Sequence, residues 1–137
     1  MTTTQNLSLP QWEENDRIHH DDFNEAFQTL DTMPRIATGS YVGTGEYGED
    51  HPNTLTFDFV PKLVIVSECS NYKYRMIAHR GVTRHCNHLG NNINYGMVKL
   101  TWGGDSLTWY CTSGSSNSPT EGQMNKSGTT YYYLAIG

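Results

Sequence analysis

The stretch from His79 to Tyr95, HRGVTRHCNHLGNNINY, holds the densest collection of chemically capable side chains in the chain. His85, Cys86 and His88 place imidazole and thiol donors close enough together to share a transition metal. A closed site needs about four donors in a defined geometry, so the fold would have to add Cys69 or Cys111. Ordinary polar loop roles account for the segment more simply. No resident metal or cofactor is expected, and His85 and His88 stand only as weak ligand candidates. His19-His20-Asp21-Asp22 reads as the polar entry and cap of a helix. The carboxylates after residue 40 are Glu46, Glu49, Asp50, Asp58, Glu68, Asp105 and Glu121. A glycosidase needs two of them opposed across a cleft. Asp58 reads as an outward strand residue and Asp105 as a turn residue, so nothing pairs them. Neither a Gly-x-Ser-x-Gly elbow nor a phosphate-binding glycine loop occurs. The chain is not expected to be an enzyme.

Aromatic residues are the stronger theme. The sequence has nine tyrosines and three tryptophans in 137 residues, more than one small core can absorb. In alternating strands some must face outward, where they can stack on sugar rings while Asn and Ser bond the hydroxyls. The candidate receptor contacts are Tyr72, Tyr74, His85, His88, Asn91, Asn92, Asn94 and Tyr95, carried on loops of a rigid sheet. In the run Tyr131-Tyr132-Tyr133, the first and third are expected inward and Tyr132 at a subunit interface.

Composition excludes several classes. The formal charge is −5 and no Lys/Arg cluster offsets it, which argues against a nucleic-acid binder. Cys69, Cys86 and Cys111 are odd in number and form no CxxC pair, as fits synthesis in a reducing compartment. No apolar run reaches the membrane-spanning length of about 20 residues, so membrane insertion is not expected. Met1–Asn6 lacks the basic and apolar regions of a secretion signal, so export by that route is not expected either.

These side chains have to be positioned by elements of two kinds. Phe23, Ala26, Phe27 and Leu30 recur at helical spacing and Met33 extends the stripe, predicting one short helix over about 22–32. Asp22 with Glu25 reads as a capping box, and Pro34 stops the helix. So short a helix needs a partner surface: its own β domain, or copies of itself. Leu9, Trp12 and Ile18 form an anchor cluster before it. From Gly39 onward the pattern is strand-like, with strands expected at Ser40–Gly48, Leu55–Phe59, Lys62–Ser67, Tyr72–His79, Met97–Trp102, Ser106–Cys111 and Thr129–Ile136. Lys62–Ser67 reads as a strand covered on both faces, and Gly103-Gly104-Asp105 as a hairpin turn. His79–Tyr95 and Ser113–Thr120 read as loops. The expected fold is mainly β: an N-terminal segment with a helical neck (1–38), then an all-β sandwich or jelly-roll-like tip (39–137).

Several stretches resemble a known family. Leu9-Pro10-Gln11-Trp12, Asp16-Arg17-Ile18 and Asp22–Phe27 resemble the opening of tail-fibre-like proteins from phages and prophages of Clostridia-type Gram-positive bacteria. Tyr41–Gly48, Asn53–Ile65 and the ending Asn125–Gly137 resemble the C-terminal tip domain of the same family. The family has a longer shaft between the two, so this chain resembles a compressed fibre. The resemblance implies a virion-borne homotrimeric receptor-binding protein, with Phe23, Ala26, Phe27, Leu30 and Met33 as the trimerisation seam. Leu9, Trp12 and Ile18 would attach it to tail, baseplate or other virion proteins, and the tip would bind a host cell-surface glycan. A structural virion component without a receptor (head decoration, collar or accessory fibre) is the alternative, and a small cell-wall-active enzyme ranks last.

Overall fold

The computed structural model describes residues 1–68, 70, 73–90, 96–112 and 118–137. These form two compact units, Met1–Pro34 and Arg35–Gly137.

In the first unit, β1 (Thr2–Thr3) pairs antiparallel with β2 (Pro10–Gln11). The turn between them is closed by Thr4, whose amide donates to the Leu9 carbonyl and whose hydroxyl accepts from the Leu9 amide. The helix α1 spans His20–Asp31, two residues earlier than its sequence predicts at the front. The expected capping box is therefore absent. His19 occupies the N-cap without a side-chain bond, and Asp21 and Asp22 lie in the first turn, where they meet the positive helix end. Asp22, Ala26 and Thr29 are half-buried. With Leu9 and Pro10 they help line a cavity of about 260 Å³ between helix and hairpin. No helix residue is buried, and Phe23, Phe27 and Leu30 are 40%, 60% and 43% exposed.

The second unit holds two four-stranded antiparallel sheets. One runs in the order β3 (Ile36–Val42), β10 (Thr130–Ile136), β5 (Leu63–Glu68), β6 (Arg75–His79). The other runs β4 (Asn53–Thr56), β9 (Ser106–Cys111), β8 (Met97–Trp102), β7 (Arg84–Cys86). Alternation fixes which side chains turn inward. Val64, Val66, Met76, Ala78, Tyr131 and Ala135 come from the first sheet. Val98, Leu100, Leu107 and Trp109 meet them from the second. Each buried Val, Leu or Met side chain among them is worth roughly 1.5–3 kcal/mol against exposure. Phe57 and Phe59, just past β4, complete the core with Met124.

Several boundaries differ from the sequence reading. Ile36–Thr38, expected in the N-terminal segment, pair with β10, and the strand ends at Val42 instead of running to Gly48. Beyond it the backbone turns away: a Cβ on Gly43 would overlap the Lys126 carbonyl oxygen. β4 ends at Thr56, because the Phe57 amide bonds to Asp105 instead of a ladder partner. β5 is sealed on one face only, with Leu63 and Ile65 half-buried on the other. The 79–95 segment, read as a loop, contains β7, held by pairing with β8. Tyr131 is buried and Tyr132 is 49% exposed, as alternation demands.

The head has a direction. Arg35 and Gly137 exchange both backbone hydrogen bonds, so chain entry and the end of β10 lie together. Nearby, the Arg80 guanidinium binds the carbonyls of Pro61, Gly103 and Gly104 and lies 5.1 Å from the Trp102 ring. β3 carries the chain from this end through seven residues, about 20 Å at strand rise. At the far end lie the 43–52 connection, the start of β8 and the end of β9. No described helix is long and apolar enough to cross a membrane.

Candidate functional site

The far end of the head is built around two buried amide side chains. After the one-turn helix α2 (Pro119–Gly122), Gln123 is fully buried and all four bonding positions of its amide are used. Its Oε1 accepts from the amides of Gly48 (2.8 Å) and Cys111 (2.9 Å). Its Nε2 donates to the His51 carbonyl (2.7 Å) and to Asn53 Oδ1 (3.0 Å). Asn125 repeats the device: Oδ1 accepts from the Thr44 amide, and Nδ2 donates to Thr44 Oγ1 and the Glu46 carbonyl. Between them Met124 has φ 61°, the left-handed region that an unbranched residue occupies at a cost of about 1–2 kcal/mol. That turn sends Met124 into the core while both flanking amides reach the 43–53 connection. Gly48, at φ 92°, supplies the matching left-handed turn opposite Gln123.

Two aromatic rings lie beneath. Trp109 is fully buried and donates its indole N–H to the Gln123 carbonyl at 2.8 Å. Tyr41 donates its hydroxyl to the Met124 carbonyl at 2.8 Å and stacks on Tyr131 at 5.2 Å. Burial pushes the Tyr41 phenol far above its usual range, the neighbouring Tyr131 adding to this and a hydrogen bond from Asn53 opposing it. Tyr41 is neutral at any physiological pH.

On this frame sits a cleft of about 410 Å³. Tyr41, Trp109 and Asn125 form its floor, Val42, Pro52 and Leu55 give it apolar wall, and Thr44, Glu46, Asp50 and His51 rim it. His51 Nδ1 stands 3.5 Å from Glu46 Oε2. Among the described residues no Lys or Arg lines the cleft. Its volume falls in the range of about 300–1,000 Å³ typical of small-molecule sites.

The residues expected to contact a receptor fare differently. Tyr72, Asn91, Asn92, Asn94 and Tyr95 lie outside the described residues, as does Cys69. Tyr74 is 5% exposed, bridges His88 as an isolated β-pair and meets its ring edge-on at 5.4 Å. It is an interior support instead of a stacking platform. His88 Nδ1 accepts from the Gly90 amide, and His85 Nδ1 bonds the buried Asn87, whose Nδ2 donates to the Gly122 carbonyl. Both histidines thus brace the end of β7. Among the described residues no three His, Cys, Asp or Glu side chains gather to hold a metal.

Of the expected seam, Phe27, Leu30 and Met33 are exposed beside Phe23, which Trp12 partly covers, but Ala26 turns to the hairpin-facing cavity. Leu9 lines that same cavity, and Trp12 stacks on Phe23 at 4.8 Å, its indole N–H buried without an acceptor among the described residues. Ile18 remains 60% exposed. The cleft itself escaped the sequence reading. Its only trace there was the Gly43/Gly45/Gly48 spacing and two amides flanking Met124. Comparison with family models, curated proteins and solved structures finds no match, so the chemistry of this cleft rests on its own geometry.

Proposed function

We propose that this chain is a receptor-binding protein of the tail-fibre kind. The head recognises a glycan on a bacterial surface, the first unit attaches to a tail, baseplate or other virion protein, and copies assemble as a homotrimer. The observation that carries this reading is the polarity of the head: the chain enters at Arg35, and the cleft lies at the opposite end of β3. Such a layout suits a module anchored at one end and presenting its concave surface at the other. The stripe Phe23, Phe27, Leu30 and Met33, each at least 39% exposed, supports assembly, since apolar side chains at helical spacing gain by burial against copies of themselves. Pairing of β3 with β10 and of β4 with β9 supports a jelly-roll-like description of the winding. Single glycan contacts are weak, and several copies on one particle supply strength through avidity.

The experiment has two arms. Labelled protein is incubated with intact Gram-positive cells and purified wall polysaccharide, and capture is expected. No capture by either, across plausible hosts, sinks the reading and leaves a receptor-free particle component. In the second arm, light scattering is expected to give a trimer for the native chain and a smaller species for Phe27→Asp, which sets three charges at one seam. An unchanged trimer removes the helix from the assembly.

A further inference from the structure

The chemistry of the cleft at the far end of the head narrows what it can hold. Besides the neutral Tyr41 phenol, its ionisable side chains are Glu46, Asp50 and His51, and among the described residues no lysine or arginine accompanies them. Glu46 is 58% exposed at its side chain, so its carboxylate keeps acceptor positions for a ligand. Carboxylates accept only, and hydroxyl or ammonium donors make short, charge-assisted bonds to them. Thr44 Oγ1 already accepts from the Glu46 amide and Asn125 Nδ2, which leaves its own proton to donate. Beside these polar groups, Val42, Pro52 and Leu55 offer apolar surface of the kind a ring's C–H face covers. The walls are held in advance by Gln123 and Asn125, so little ordering is left for binding to drive.

We propose that this cleft binds a neutral or amine-bearing sugar unit, with Glu46 and Asp50 accepting its hydroxyl or ammonium protons, and rejects sugars that carry a carboxylate. The inference rests on the reading of the head as a glycan receptor and names the ligand class at a site formed by the 43–55 stretch and the Gln123–Asn125 turn. An acidic sugar brings a like charge to a wall that carries two carboxylates and, among the described residues, neither lysine nor arginine, with its one histidine already facing Glu46. A polyhydroxylated or aminated ring brings donors to every free acceptor.

The test is amide NMR of the full chain titrated with methyl glycosides of glucose, galactose, mannose, glucosamine and N-acetylglucosamine, with methyl glucuronide as the acidic probe. At least one neutral or amine glycoside is expected to shift amides within 44–54 and Asn125 with a Kd near millimolar, and methyl glucuronide none. The double variant Glu46→Gln/Asp50→Asn is expected to weaken that binding at least tenfold while its melting temperature stays at the native value. The proposal is overturned if no glycoside moves these amides, if glucuronide binds as tightly, or if the double variant binds like the native chain. Cell capture separates the two readings. Native and double-variant protein captured equally well by cells discards the cleft and keeps the receptor reading. Shifts at 44–54 with no capture by any cells keep the sugar site and discard the receptor reading.

Discussion

Gln123→Ala is the most informative single change to the head. The native amide makes four bonds, to the Gly48 and Cys111 amides, the His51 carbonyl and Asn53 Oδ1, and the residue is fully buried. At a net value of about 1 kcal/mol per bond the loss is about 4 kcal/mol. Against a typical domain stability of roughly 5–15 kcal/mol, that is a large fraction. Urea unfolding read by tryptophan fluorescence and far-UV circular dichroism provides the measurement. With a slope of about 2 kcal/mol per molar, the midpoint falls by about 2 M. Gln123→Glu sharpens the test, since it keeps the shape and both acceptor bonds but replaces the two N–H donors with a carboxylate facing carbonyl oxygen. That carboxyl titrates above its unfolded value, so the variant recovers stability as pH falls and loses it as pH rises through the folded pKa. A midpoint shift equivalent to less than about 1 kcal/mol in Gln123→Ala, with unchanged slope, refutes the view that this amide holds the cleft walls.

Two further outcomes follow from the same frame. Gly43→Ala drives a Cβ into the Lys126 carbonyl and the Asn125 carbonyl carbon, both backbone, so the 43–45 stretch must lift off the turn. A loss of about 2 kcal/mol is expected in urea unfolding, and a native midpoint in that variant contradicts the close approach. Alkaline stability tests the buried phenols. Burial pushes Tyr131 up to about 12, opposed by the hydrogen bond that the Lys126 N–H donates to its oxygen and helped by the carboxylates of Glu68 and Glu121. A raised folded pKa means stability is complete below the unfolded value of 10.0 and falls as pH climbs toward about 12. Urea midpoints measured from pH 9 to 12 are expected to decline through that window, and a flat profile removes the burial argument for Tyr131.

The parts of the fold legible in the sequence were those written locally. The β8–β9 hairpin follows from Gly103-Gly104-Asp105 between two alternating runs, and its strands match at Met97–Trp102 and Ser106–Cys111. Phe57 and Phe59 turn inward and Thr56 and Asp58 outward, because alternation outlasts the ladder that ends at Thr56. What stayed hidden depends on partners distant in sequence. Arg84–Cys86 is too short and polar to announce a strand, and only the β8 ladder makes it one. The cleft draws on residues 41–55, Trp109 and Asn125, brought together by amides whose burial leaves no periodic signal. Ala26 fitted a heptad seam by spacing, yet the hairpin occupies its side of the helix. Tyr74, expected among the receptor contacts by its aromatic character, is instead buried as interior scaffold, because composition does not say which face of a strand a ring takes.

The adjoining positions of Arg35 and Gly137 have a mechanical consequence. If a ligand grips the cleft while the chain is held at Arg35, tension runs lengthwise along β3. That strand is bound along its length to β10 through seven paired positions from Ile36 to Val42. Load in this direction slides the two strands past each other, so the cross-strand bonds resist together instead of parting singly as in peeling. Tension between the cleft and Arg35 therefore loads the β3–β10 pair in shear along its whole length.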